Sequence, residues 1–187
     1  AALAGLGAEV SFVTGPTERA PPAGVRVIRV RTARQMLEAV EAALPADAAV
    51  FAAAVADWRV ADVAEAKIKK GDSGPPDLRL TENPDILAAV AGRGAGRPAL
   101  VVGFAAETGD VRANAIAKRA RKGCDWIVAN DVSPETGILG GEENAVTLIT
   151  DAGAEDWPRM TKDRVARKLA GRMAAALVGD GPSETSG

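Results

Sequence analysis

Three lysines follow an acid at the end of an apolar run: Phe51-Ala-Ala-Ala-Val-Ala-Asp57-Trp58-Arg59, then Lys67-Ile-Lys69-Lys70. An acid and a lysine cluster leaving one strand end are suited to a polyanion and its divalent metal, because ligands of open α/β sheets bind beyond the carboxyl ends of strands. Each residue type also has an ordinary structural use. Asp57 is able to cap the next turn, and a lysine run is commonly a solvated face. A second basic pair, Lys118 and Lys122, has the four-residue spacing that puts both on one helix face, and lysines near a helix C-terminus also complement its dipole. Histidine is absent and the one cysteine is Cys124. That removes Ser-His-Asp and Cys-His catalysis and His-ligated metals. The remaining inventory of carboxylates, lysines, amides and backbone groups suits phosphates and hard cations such as Mg²⁺.

These residues need a frame. Apolar strands are expected over 8–13, 25–30, 48–54, 98–104, 126–129 and 145–150, with a short edge strand over 78–80. Thr32 is expected to cap a helix whose Met36, Leu37, Val40 and Leu44 keep helical spacing. Asn83-Pro84-Asp85-Ile86-Leu87 reads as a helix start with Asn83 as cap and Pro84 in the first helical position. Further helices are expected over 110–122 and 161–177, the latter with Val165, Leu169, Met173 and Leu177 on one stripe. Residues 71–77 and 134–144 read as loops, the first in a position to act as a flap. The alternation predicts a three-layer, Rossmann-like α/β domain with a mostly parallel sheet, helices on both faces, and room for an antiparallel strand near the C-terminal edge. If the strands run parallel, Thr14-Gly15-Pro16, Asp57-Trp58-Arg59, Gly103-Phe104 with Glu107, and Asn130-Asp131 gather along one sheet edge.

The chain has 187 residues and a formal net charge of −2, from 23 basic and 25 acidic residues. It is long enough for one sizeable core, and the balance does not point to nucleic acid. No stretch is long and apolar enough to span a bilayer, and a single cysteine fits a reducing, cytoplasmic setting. There is neither a G-x-x-x-x-G-K-[ST] loop nor a G-x-G-x-x-G fingerprint.

Five motifs occur in order: Ala52-Ala-Ala-Val-Ala-Asp57-Trp-Arg59, Lys67-Ile-Lys69-Lys70, Asn83-Pro-Asp-Ile-Leu87, Val102-Gly-Phe-Ala-Ala-Glu-Thr108 and Val128-Ala-Asn-Asp-Val-Ser133. Over about residues 1–178 the chain resembles the bacterial phosphopantothenoylcysteine synthetase domain of coenzyme A biosynthesis, which is usually fused behind a flavin-dependent decarboxylase. The resemblance implies a phosphopantothenate–cysteine ligase that uses CTP with Mg²⁺, forms an acyl-cytidylate and then couples L-cysteine. FMN would belong to the upstream decarboxylase alone. By the same resemblance Lys67 is the catalytic lysine. Ala53, Asp57, Lys67, Pro84, Asp85, Ile86, Leu87, Phe104, Lys118 and Lys122 are the nucleotide-binding positions, and a homodimer with its site near the interface is expected. No set of metal ligands can be named. Family members begin with a glycine-rich strand and an asparagine-bearing segment that have no counterpart here. The expectation is therefore a ligase domain at 1–178 lacking its first strand, and a disordered tail at 179–187. Two alternatives stay open: an NAD(P)-binding oxidoreductase of Rossmann type, and a catalytically inactive nucleotide-binding or regulatory domain.

Overall fold

A computed structural model describes residues 1–62, 78–138 and 141–179. In chain order the elements are α1 (Ala2–Gly5), β1 (Ser11–Thr14), β2 (Arg26–Arg29), α2 (Ala33–Ala42), β3 (Ala48–Phe51), β4 (Trp58–Val60), β5 (Leu80–Glu82), α3 (Ile86–Ala91), β6 (Leu100–Glu107), α4 (Val111–Lys122), β7 (Trp126–Asp131), a 3₁₀ turn (Pro134–Thr136), β8 (Glu143–Thr150), β9 (Gly153–Thr161) and α5 (Lys162–Gly179). The main sheet has the order β3-β6-β7-β8-β9. β3, β6 and β7 are parallel, and β8 and β9 return antiparallel. The expected parallel sheet with an antiparallel C-terminal margin is present, with two antiparallel strands rather than one.

β6 and β7 form the centre because their sequences are apolar on both faces. The first four residues of each are buried, as befits strands covered by helices on two sides. Alternation sends Val101 and Ala105 to one face, where Leu87, Val90 and Ala91 of α3 and Ala115 of α4 meet them and Val40 of α2 packs alongside. Leu100 and Val102 go to the other face, against Val165, Leu169 and Met173 of α5, with Leu3 of α1 beside them. Ile127 is fully buried, and its truncation to Ala is expected to cost about 2–5 kcal/mol through lost burial and a residual cavity.

Three local differences from the sequence reading have physical causes. The α3 cap is Asp85, whose side chain accepts from the Ala88 amide at 3.0 Å. Asn83 is occupied elsewhere, so Pro84 precedes the cap instead of opening the helix. β9 is absent from the sequence reading because Pro158 interrupts a polar stretch. It is tolerated because β9 is the sheet's edge, and the β8–β9 register shifts between Asn144 and Val146. The apolar run after β3 does not continue the strand: β3 ends at Phe51, and Ala52–Ala56 has no regular structure. The expected flap over 71–77 lies outside the described residues, and so does nearly all of the 179–187 tail.

Candidate nucleotide site at the β3 exit

β3 is four residues long and stops level with Gly103 of β6, whereas β6 runs on through Glu107. The step leaves the last residues of β6 without a β3 neighbour and opens a crevice at the β3 exit, from which the chain leads through Ala52 to Asp57. Asn83 holds that segment. Its side-chain amide donates to the Ala56 carbonyl at 2.8 Å, and its backbone amide donates to the Asp57 carbonyl at 2.8 Å. Arg59 ties the same corner by donating to the Glu82 carbonyl. With its backbone held, Asp57 presents an exposed carboxylate that has no hydrogen bond or ion pair among the described residues. Ala53 is likewise exposed.

α3 begins on the far side of Asn83. Its approach to the sheet depends on Gly103: a Cβ there would lie 2.7 Å from Leu87 Cδ2 and 2.8 Å from Ile127 Cδ1. The missing side chain lets Leu87 seat directly on β6 and brings the helix start to the crevice. Ile86 and Leu87 are buried, so any ligand contact they make runs through backbone. Asp85 does double duty as cap and as partner of the Lys122 ammonium. Partial burial pushes its carboxyl pKa upward, but the hydrogen bonds from Lys122 and the Ala88 amide, with the nearby Lys122 and Arg121 charges, hold it below the usual carboxylate value. α4 ends at Gly123, whose φ of 67° suits the left-handed C-terminal stop. Ala115, Lys118 and Lys122 share the inward face; Ala115 is buried and both lysines are half-buried.

Asp57, Pro84, Asp85 and Lys122 are therefore assembled around the start of α3 and the β3 exit, with Lys118 one turn back on α4. Phe104 is not on that side. As the neighbour of Gly103 it points to the opposite face, against the α5 cluster, and it reaches a shared ligand only past the end of β3. Lys67, Lys69 and Lys70 lie outside the described residues. A cleft of about 370 Å³ adjoins this corner, lined by Arg34, Leu37 and Glu38 of α2, Arg59, and Glu82–Pro84; of the expected site residues it includes Pro84 alone.

Two further polar groups line the same edge. Glu107 and Asp131 are opposite each other in the β6–β7 ladder. Ser133, the buried polar residue here, donates its hydroxyl to Asp131 Oδ1 at 2.5 Å and its amide to the same atom at 2.8 Å. Those two bonds hold the Asp131 carboxyl below its ordinary pKa. The position most easily missed from sequence is Asn83. Two residues able to cap bracket Pro84, and only one can serve, which frees the other for a buttress. Among the described residues, no three His, Cys, Asp or Glu side chains cluster as a metal site. A single carboxylate such as Asp57, which has no side-chain partner among the described residues, is of a chemistry that suits a hard cation.

Residues 1–177 match the family described as the DNA/pantothenate metabolism flavoprotein C-terminal domain. The coenzyme A biosynthesis bifunctional protein CoaBC of Vibrio parahaemolyticus is 41% identical over 92% of the chain. The chain spans 43% of that relative's length. A crystal structure of the C-terminal domain of a CoaBC protein superposes with a TM-score of 0.76 at 33% identity, covering 95% of this chain and 79% of that one. A Cab2 mutant in complex with phosphopantothenate-cysteine shares the fold at 16% identity, with a TM-score of 0.61, covering 83% of this chain and 54% of its own. Five ordered motifs, a matching sheet and a family match over nearly every residue converge: this chain belongs to the DNA/pantothenate metabolism flavoprotein C-terminal domain family.

Proposed function

We propose that the chain is a phosphopantothenate–cysteine ligase domain of coenzyme A biosynthesis that uses CTP. The observation that carries this reading is the gathering of Asp57, the α3 start and Lys122 at the β3 exit in a chain 41% identical to a curated CoaBC protein. In the first step a carboxylate oxygen of 4′-phosphopantothenate bonds to the α-phosphorus of CTP, and the bond to the bridging oxygen breaks to release pyrophosphate. In the second, the cysteine amine bonds to the acyl carbon and CMP leaves with the electron pair, while the amine gives up its proton. The protein's task is to hold two anions together and offset their charge.

Lys118 and Lys122 supply cationic charge for the phosphates. Asp85 keeps Lys122 in place, and an incoming phosphate shares or displaces that ion pair. Ala53 leaves room beside the backbone, and Pro84 to Leu87 offer main-chain contacts. Asp57 is the carboxylate that would hold Mg²⁺, which screens the phosphate charge when bound with CTP. Lys67 is assigned to the phosphoryl centre, and Phe104 to the nucleotide's other side. The reading assigns no FMN chemistry to these residues. A homodimer is included, and its support is the antiparallel β4–β5 pair. Trp58, Leu78 and Leu80 are 56%, 65% and 59% exposed and project from one face of a two-stranded pair that needs a further layer for stability. Among the described residues no helix is long and apolar enough to cross a membrane, which is in keeping with a cytoplasmic enzyme. The family match leaves the NAD(P) oxidoreductase alternative without support.

The test is calorimetric titration with CTP and Mg²⁺, against ATP and NADPH, followed by coupling assays on Lys67→Ala in the full-length protein. Selective CTP binding and a fall of about 10²–10³ in turnover, the scale for losing one preorganised charge stabiliser, are expected. Coupling at an unchanged rate in Lys67→Ala would sink the assignment.

A further inference from the structure

The chain between β3 and β4 has few ties. β3 ends at Phe51 and β4 starts at Trp58. Among the described residues, the segment from Ala52 to Asp57 is hydrogen-bonded only through the Ala56 and Asp57 carbonyls, and both bonds come from Asn83. Three successive carbonyls converge on this one residue. The Asn83 side-chain amide donates to the Ala56 carbonyl at 2.8 Å and to the Trp58 carbonyl at 3.4 Å, and the Asn83 backbone amide donates to the Asp57 carbonyl at 2.8 Å. The peptide units on both sides of the Asp57 Cα are therefore held, and with them the direction in which its carboxylate leaves the chain. Arg59 lies on the other side of the amide, its guanidinium 3.5 Å from Asn83 Oδ1. The oxygen faces the cation and the nitrogen faces the carbonyls.

Asparagine is matched to this task. Its amide has two N–H donors, and carbonyls lie in reach of that nitrogen on two residues. An ionised aspartate has the same shape but only accepts, glutamine carries its donors one methylene further out, and serine has a single donor. Nor is the side chain spent on the helix that follows, because α3 is capped by Asp85. The core does not need it either: Asn83 is half-buried and belongs to neither hydrophobic cluster. What it does hold is the backbone beneath the exposed Asp57 carboxylate. We propose that Asn83 is the positioning residue for Asp57, setting the direction in which that carboxylate meets the divalent cation carried by a nucleotide's phosphates. The inference rests on the nucleotide reading of Asp57 given above and adds to it a residue that acts through another. Partners that orient a cation-binding group are commonly worth about 10–100-fold in affinity.

Two measurements test it, one of them without nucleotide. In ¹⁵N relaxation the Asp57 and Trp58 amides should be rigid in the wild type, with order parameters of about 0.85, and should fall below about 0.6 in Asn83→Ala and in the same-shaped Asn83→Asp. The Val101 and Ile127 amides of β6 and β7 should stay rigid throughout. Unchanged order parameters at Asp57 overturn the proposal. Loss of the folded Val101 and Ile127 signals in both variants also overturns it, since Asn83 then serves the fold and not the carboxylate. In calorimetric titration with CTP and Mg²⁺, Asp57→Asn and Asn83→Ala should each weaken binding by about 10–100-fold. The double variant should bind no more weakly than Asp57→Asn alone, because residues that act as one unit are not additive. Losses that multiply, an Asp57→Asn that binds as wild type does, or an Asn83→Ala that does so, each overturn it. A wild type that binds no CTP is instead the failure of the ligase reading, and the order parameters then decide the placement of Asp57 by themselves.

Discussion

Replacing Asp85 separates two stabilising roles held by one side chain. Asp85→Ala removes the α3 cap, which is worth about 1 kcal/mol, and the ion pair to Lys122. That pair reaches solvent at both ends, with side chains 20% and 45% exposed for Lys122 and Asp85, so it contributes at most about 1 kcal/mol. The sum, about 1–2 kcal/mol, corresponds to a Tm lower by about 2–8 °C at this chain length. Asp85→Asn keeps a side-chain oxygen for the Ala88 amide, because Asn caps as well as Asp does, and should lose only the ion-pair share. Urea denaturation followed by the fluorescence of Trp126 and Trp157 reads both, and a cycle with Lys122→Met isolates the coupling. The pH dependence has a definite sign. The folded pKa of Asp85 lies below its ordinary value, so the stabilisation is present above the unfolded pKa and is lost as pH falls through the folded one. Wild type and Asp85→Asn should therefore differ at pH 7 and converge in strong acid. Equal losses for Asn and Ala at pH 7 would refute the capping argument, and a difference that survives acidification would refute the charge argument.

Three other outcomes are expected. Gly103→Ala should destabilise the chain by about 1–3 kcal/mol, as Leu87 and Ile127 give way to the new Cβ, and should loosen the α3 start; unchanged denaturation would show that α3 has slack over β6. Ser133→Ala should raise the Asp131 pKa toward the usual carboxylate value in a carbon-detected NMR titration, since its hydroxyl and amide hold that carboxyl down. The Ser133–Asp131 stabilisation is present above the unfolded pKa and is lost as pH falls through the lowered folded pKa; an unmoved titration would mean the hydroxyl contributes nothing. Cys124 is 4% exposed, and burial raises its thiol pKa. Aromatic disulfide reagents at pH 8 should modify it slowly in the native chain and promptly in urea, and prompt native reaction would contradict its placement under α4.

The legible parts of the fold were those with long, consistent patterns. β6 and β7 are continuous apolar runs, and α5 carries a clear stripe, so burial and local preference agree. β9 was hidden because an edge strand need bury only one side of its ladder. Its Trp157 is core, but Glu155, Asp156, Pro158 and Arg159 dilute the alternation. In the candidate site, the shared helix face of Lys118 and Lys122 could be read from their four-residue spacing, and the place of Asp57 just past an apolar run could be read from the sequence. The split between Phe104 and the lysines could also have been anticipated, because adjacent strand residues face opposite ways and Gly103 is the one beneath α3. The buttress role of Asn83 could not, since it depends on carbonyls of Ala56 and Trp58 far away in sequence.

The β7–β8–β9 meander has a consequence for how the chain reaches this structure. β8 and β9 are joined by the two residues Asp151 and Ala152, with Gly153 at a φ of 124° closing the turn, and α5 follows at once to cover them. These contacts close short loops, and short loops cost little entropy. The β3–β6 pairing must instead bring together strands separated by β4, β5 and α3. Low sequence separation favours early formation. The C-terminal half should therefore assemble first and present β6 and β7 as a template, and the crevice with its lysines should form late, on a surface that is already solid.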